Sequence, residues 1–285
     1  MAHDPWAPGP PADVVKERLA AVRRRIADAG GDPAKIRVVA VTKGFGPDAV
    51  YAAVAAGITD IGENYASELR AKAAALAAGA GGAGAALAAG AGGAGAALAA
   101  GVGGAGAALA AGVGGAGAAL AAGVEEPQGS EVRWHYLGAV QRRSVPRIAA
   151  EVAMWHGVCR VEEGAAIAAT TPGVPVLVQL ELTGLPGRRG VRPDGAPAVV
   201  SGLRQAGVQP VGVMAIGVPG DSNATRRVFE AAAATARRCD LPELSIGMSD
   251  DLEVAVAAGS TMVRVGRGLF GDRLPRRAPA GSPAQ

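Results

Sequence analysis

One lysine is placed where it could do chemistry. In the stretch RVVAVTKGF, residues 37–45, an apolar run ends on Lys43, with Gly44 and Phe45 just behind it. Lysine is scarce in this chain: Lys16, Lys35, Lys43 and Lys72 are its only examples among 28 basic residues. A solvated lysine amine, with a pKa near ~10.4, is a poor nucleophile at neutral pH. Burial beside a second cation lowers that value and frees the amine to attack a carbonyl carbon. Arg264, the only charged residue inside the apolar run TMVRVG (261–266), is a candidate for that cation. In the alternative reading, Lys43 reaches to solvent and Arg264 is an ion-pair partner.

The elements that must hold these residues alternate regularly. ADVVKERLAAVRRRIADAG (12–30) places Val15, Leu19, Val22 and Ile26 at helical spacing and closes on Gly30-Gly31. Strands are then expected at 36–42, 58–62, 134–140, 154–159, 174–182, 208–217, 243–249 and 261–266. Helices are expected between them at 47–57, 63–78, 144–152, 161–170, 196–207, 223–239 and 250–259. The strands are apolar on both faces, as parallel strands covered by helices are. Eight such units predict a closed (β/α)8 TIM-type barrel in the α/β class, with one extra N-terminal helix. An open doubly wound sheet is the runner-up, but no G-x-G-x-x-G follows the first strand. In such a barrel, chemistry gathers at the C-terminal ends of strands. Those ends read Lys43, Glu63 with Asn64, His135, Glu181, Met214, Ser249 with Asp250, and Arg264 with Gly266.

Residues 79–122 are four copies of an eleven-residue Ala/Gly unit, each with four glycines, one leucine and no charge. As helix, each copy starts about 4 kcal/mol behind polyalanine, and one buried leucine returns about 2 kcal/mol. A low-complexity insertion, tolerated because loop length costs little entropy, is the expected reading. The alternative is a small-residue assembly segment. Without the tract about 240 residues remain, close to the usual size of one such barrel.

The net charge is +3, but the arginines are scattered in ones to threes and aromatics make up only 3% of the chain, which argues against nucleic-acid binding. No unbroken apolar run reaches membrane-spanning length, and the first residues lack a signal-peptide layout. Cys159 and Cys239 stand far apart without metal-ligand spacing, so no metal site is expected and a cytoplasmic location is the default.

The stretches VAVTK (39–43), IGENYASE (61–68), WHYLGAVQ (134–141), GVMAIG (212–217), LSIGMSDDLEVAVAAGSTMVRVG (244–266) and LFG (269–271) resemble, in order, the pyridoxal 5′-phosphate (PLP) homeostasis family. That family has a barrel like the N-terminal domain of alanine racemase. The resemblance implies that PLP is the cofactor and that Lys43 forms a Schiff base with it. It also implies phosphate contacts from Ser249 and the backbone at Gly266, Arg264 facing the pyridine nitrogen, and Asn64 and Met214 lining the cofactor. His135 is either a ring-facing residue or an edge or core histidine.

Two positions depart from the family pattern. Arg267 follows Gly266 where threonine is usual, so a guanidinium could replace a hydroxyl at the phosphate. Arg188-Arg189-Gly190 stands where the family has Lys-Ser-Gly, and arginine cannot form an imine.

The resulting expectation is a single PLP-binding barrel domain at 12–271, interrupted by the insertion at 79–130. Disordered ends are expected at 1–11 and 272–285. The function implied is that of a non-catalytic, monomeric PLP carrier that buffers the cofactor or hands it to apo-enzymes. The alternative is a weak racemase-like enzyme. Racemases of this barrel type bring a second acid/base tyrosine from an added β-domain, whereas Tyr51, Tyr65 and Tyr136, the chain's only tyrosines, are not evidently placed for that role.

Overall fold

The computed structural model of the chain describes residues 6–79 and 132–272. They fall into two units: residues 6–72 with 132–272 carry the barrel, and residues 73–79 belong to the second unit. Apart from their first residues, the expected insertion and C-terminal tail lie outside the described residues.

Eight parallel strands close into a barrel in chain order. They are β1 Arg37–Val41, β2 Asp60–Glu63, β3 Arg133–Tyr136, β4 Val152–Val158, β5 Pro175–Gln179, β6 Gln209–Met214, β7 Glu243–Ser245 and β8 Met262–Val265. β8 pairs back onto β1, with Val39 opposite Arg264. Among the described residues the α-helices are α1 Ala12–Asp28, α2 Pro47–Ala55, α3 Ala66–Gly79, α4 Val161–Ala168, α5 Ala196–Gln205, α6 Ser222–Arg238, α7 Leu252–Ala257 and α8 Arg267–Phe270. α1 buries the four residues its periodicity singled out and packs against α2, α7 and α8. It ends where Gly30 takes φ +84° and the Gly31 N–H bonds back to the Ile26 carbonyl, a left-handed stop that suits glycine.

Three expectations need correction. The expected helix at 144–152 is a 3-10 turn, Val145–Arg147, flanked by tight turns. Pro146 brings no N–H to a helix, and β4 already begins at Val152, so too little chain remains for a full return helix. The expected strand at 134–140 stops at Tyr136, because the chain turns at Gly138 against the Asn64 carbonyl, where a Cβ would collide. The N-terminal segment is ordered from Trp6 onward rather than disordered through residue 11. Ala7 donates to the Gly44 carbonyl at 3.1 Å, the Gly46 N–H donates to Ala7 at 3.0 Å, and the Gly9 N–H donates to Asp48 Oδ2 at 2.6 Å. This pairing is non-local, so no residue within the segment announces it.

The register sorts the strands into inward and outward rows. In-register neighbours on parallel strands share a face, and faces alternate along each strand. Asp60 lies opposite Arg133, Gly62 opposite His135, and Val41 opposite Gly62. Val39 and Val41 therefore share a face with Asp60, His135 and Arg264, the barrel interior. Glu63 lies on the other face, towards the helix layer.

Candidate functional site

Lys43 is half-buried, two residues past the end of β1, with its side chain's parity continuing the inward row of Val39 and Val41. The backbone on both sides of it is clamped. Lys72 Nζ, from α3, donates to the Thr42 carbonyl at 2.8 Å, and the Gly44 N–H donates to Glu68 Oε2 at 2.7 Å. Glu68 and Lys72 are one helical turn apart, so one face of α3 holds both flanks of Lys43. Gly44 has φ +81°, a left-handed value that turns the chain directly after the lysine.

Lys72 is fully buried. Its amine lies 2.5 Å from Glu63 Oε1 and 5.8 Å from the centre of the Trp6 ring, an electrostatically favourable cation–π distance. Thr42 Oγ1 donates to the same Glu63 oxygen at 2.6 Å. Burial pushes the Glu63 carboxyl above its ordinary value, against the opposing pull of Lys72. Sequence reasoning counted Glu63 among the strand ends but missed the roles of Glu68, Lys72 and Trp6. The Glu68/Lys72 spacing was a readable signal, while Trp6 carried none.

Arg264 is buried within β8. Its Nη1 donates to the Ser245 carbonyl at 2.7 Å and to Ser245 Oγ at 2.8 Å, and its Nη2 donates to the Ala215 carbonyl at 3.0 Å. A guanidinium has five donors, so these three bonds leave two. Burial lowers its pKa to about 10, which still keeps it charged at neutral pH. Met214, buried at the end of β6, immediately precedes Ala215. Asn64 is half-buried just past β2.

Ser249 is half-buried after β7, and its Oγ accepts the Gly268 N–H at 3.0 Å, which joins the loop after β7 to the start of α8. Arg25 reaches from α1 to the Ser249 carbonyl at 3.0 Å while also pairing with Glu253. At Gly266 a Cβ would sit in ordinary contact with Val41, 3.4 Å from its carbonyl oxygen and 3.7 Å from its Cβ, so this residue lies against the end of β1. Arg267, expected as a charge-assisted phosphate contact, is exposed and ion-pairs with Asp250.

The remaining strand-end residues do other work. Glu181 accepts the Thr183 and Gly184 N–H groups and shapes its own turn. His135 is a core residue, buried inside the barrel and bonded to Asp60 at 2.8 Å. Arg189 ion-pairs with Glu163 at 2.6 Å. No group of three or more His, Cys, Asp or Glu able to hold a metal occurs among the described residues. No helix among them is long and apolar enough to cross a membrane.

The C-terminal end of this barrel thus presents a clamped lysine, an inward guanidinium with spare donors, and a hydroxyl bonded to the turn that follows Gly266. That donor set suits a ligand with an aldehyde, a ring acceptor and an anionic group. A closed parallel barrel with this set is the architecture of the alanine racemase N-terminal domain family, whose model matches residues 13–274. The chain belongs to that family and, within it, to the pyridoxal phosphate homeostasis proteins. It is 30% identical over 256 residues to the pyridoxal phosphate homeostasis protein of Deinococcus radiodurans, covering 88% of this chain and 97% of that one. The protein of the same name from Pseudomonas aeruginosa is 29% identical, over 91% of this chain and 96% of its own. Among solved structures, PipY of Synechococcus elongatus with PLP bound is 26% identical with a TM-score of 0.62, covering 90% of this chain and 100% of PipY.

Proposed function

We propose that this protein binds PLP through Lys43 and buffers it or delivers it to apo-enzymes that depend on it. The observation that carries the reading is the double clamp on Lys43 by Glu68 and Lys72. It fixes the backbone of the one lysine that continues an inward strand row. The residues that would hold the group are Lys43 at the aldehyde, Arg264 at the ring nitrogen, and Asn64 and Met214 along the ring. Ser249, the backbone at Gly266 and, if released from Asp250, Arg267 would meet the phosphate. Bound PLP supplies an aldehyde that condenses with an amine and a ring that can accept electron density. PipY, its relative, has been solved with PLP bound, which supports the same cofactor here.

The non-catalytic reading rests on Arg264 and on where the tyrosines lie. Arg264 remains a donor at neutral pH, so it opposes protonation of a ring nitrogen placed against it and weakens that ring as an electron acceptor. Tyr136 is buried, and burial raises its pKa, which keeps its phenol protonated and not free to take a proton at neutral pH. Tyr51, on α2, and Tyr65, in the turn between β2 and α3, are exposed. Both cysteines are free, which supports a reducing, cytoplasmic setting, and the protein is read as a monomer.

The test is an absorption spectrum of the purified protein with PLP, followed by borohydride reduction and peptide mapping. The pyridoxyl mass is expected on Lys43, and Lys43→Ala should lose the chromophore while staying folded. Label on Lys16, Lys35 or Lys72 would overturn the assignment. Chiral chromatography after incubation with amino acids should show no appreciable turnover. Several turnovers per second on any of them would restore the enzyme reading.

A further inference from the structure

The barrel interior contains a row of polar residues of which the proposed PLP site uses only the last, Arg264. Asp60, His135, His156, Ser245 and Arg264 come from β2, β3, β4, β7 and β8, and all are at most 6% exposed. They form one continuous chain of hydrogen bonds. His135 Nε2 lies 2.8 Å from Asp60 Oδ1, His135 Nδ1 lies 2.8 Å from His156 Nε2, and His156 Nδ1 lies 3.2 Å from Ser245 Oγ. Arg264 Nη1 completes it at 2.8 Å from the same oxygen. The interior of such a barrel is ordinarily filled by branched apolar side chains, so a polar row there calls for a reason.

The two ends of the chain dictate the protons between them. A guanidinium only donates and a carboxylate only accepts. Asp60 accepts, so a neutral His135 carries its proton on Nε2 and its bare Nδ1 accepts the His156 Nε2–H. That leaves His156 Nδ1 bare, and the Ser245 hydroxyl, whose oxygen accepts from Arg264, donates to it. With both histidines neutral, every bond points the same way, from Arg264 down to Asp60.

We propose that His156, with His135 behind it, is a positioning residue for Arg264, holding the Ser245 hydroxyl as an acceptor so that the guanidinium stays aimed and charged at the ring end of the cofactor. This rests on the reading that PLP binds with its ring nitrogen at Arg264. Arg264 has no ion pair among the described residues; Asp251 acts on it through space, and the aligned bonds add the potential of the Asp60 carboxylate across the barrel. The groups that bear on the histidines are Asp60, Arg133, Arg37 and Arg264. Burial is the leading cause that holds both histidines below their ordinary pKa, His156 well below. Asp60 is pushed up by burial but pulled below its usual range by His135 and Arg133. All three directions agree with neutral imidazoles above an ionised carboxylate. Asp60 also lines a cleft of about 560 Å³ at the strand N-termini, between Arg37 and Arg133, so the row runs from that mouth to the ring end of the site.

The test begins with long-range ¹⁵N–¹H imidazole correlation spectra of the PLP-free protein, which do not depend on the cofactor reading. The chain has three histidines, so assignment by single substitution is short work. His135 and His156 should both show the Nε2–H tautomer and protonate only at a lower pH than an ordinary histidine. An Nδ1–H tautomer on either, or an ordinary titration, would overturn the proposal.

The second measurement is the pH midpoint of the absorption band of the PLP-loaded protein. His156→Leu and Ser245→Ala each remove acceptor character next to Arg264, leaving the surroundings more positive. Each should lower the midpoint by roughly half a pH unit or more, the scale of one neutral hydrogen bond. His156→Gln, which keeps an acceptor and a donor, should recover most of that shift. If His156→Leu does not fold, Ser245→Ala carries the test with little change of volume. An unmoved midpoint in a folded variant whose pyridoxyl label stays on Lys43 would refute the positioning role while leaving the PLP reading intact.

Discussion

Strand β2 carries two buried carboxylates, Asp60 at its start and Glu63 at its end, and the molecule balances them in opposite ways. Glu63 faces the helix layer and meets its counter-charge directly, in the 2.5 Å contact with Lys72. Asp60 faces the barrel interior, where Arg133 pairs with it from the rim at 2.6 Å and two neutral imidazoles stand between it and Arg264. The outward pair concentrates charge at one point and uses it to hold the backbone beside Lys43. The inward row spreads charge across the barrel and leaves the Arg264 guanidinium with donors to spare. Three residues of separation on a strand reverse the face, which is why neighbouring carboxylates enter such different surroundings.

The contrast is broken most severely at Lys72. Lys72→Met leaves Glu63 buried without its cation and should cost about 3–5 kcal/mol, read by urea unfolding. Adding Glu63→Leu should recover much of that loss, because removing both charges spares their desolvation. A single variant as stable as the parent would show that the pair holds nothing.

The inward row should be the acid-sensitive one. Both histidines are held neutral with folded pKa values below the ordinary ~6.5, so below that pH the unfolded chain takes up protons that the folded chain refuses. Stability is then fully present above about pH 6.5 and falls below it, by up to about 1.4 kcal/mol per histidine per pH unit. Asp60, held below the usual carboxylate range, adds a further loss only below about pH 4. His156→Gln should make the decline between pH 6.5 and about 5 shallower. A stability profile flat across that window would contradict neutral buried histidines.

The smallest effect is expected outside the barrel. A chain joining Ala78 directly to Gly123 lacks the Ala/Gly repeat, and it should retain PLP and melt within a few degrees of the parent, since lengthening a loop costs little entropy. Lost binding or a large drop in melting temperature would assign the repeat a structural role.

The fold was legible where residues repeat with the period of their element. The α1 stripe of Val15, Leu19, Val22 and Ile26 is buried as its spacing requires, and eight apolar runs separated by helices close into eight strands. Lys43 and Arg264 were legible because a charged residue within or at the end of an apolar run breaks a pattern. The return segment at 144–152 misled because Ile148 and Ala149 are buried like helix residues, yet the connection is too short to wind.

Local pattern, backbone preference and motif order were therefore within the sequence's reach: the barrel, its leading helix, the lysine at the end of β1 and the family resemblance all follow from residues read in order. Pairings between distant positions were not. Trp6 on Lys72, Ala7 on Gly44, and the row from Asp60 through His135, His156 and Ser245 to Arg264 join residues up to 204 positions apart, and no local pattern encodes such distances. Barrel closure decides them, because it fixes which inward side chains share a layer, and burial then requires each polar one to find its partner there.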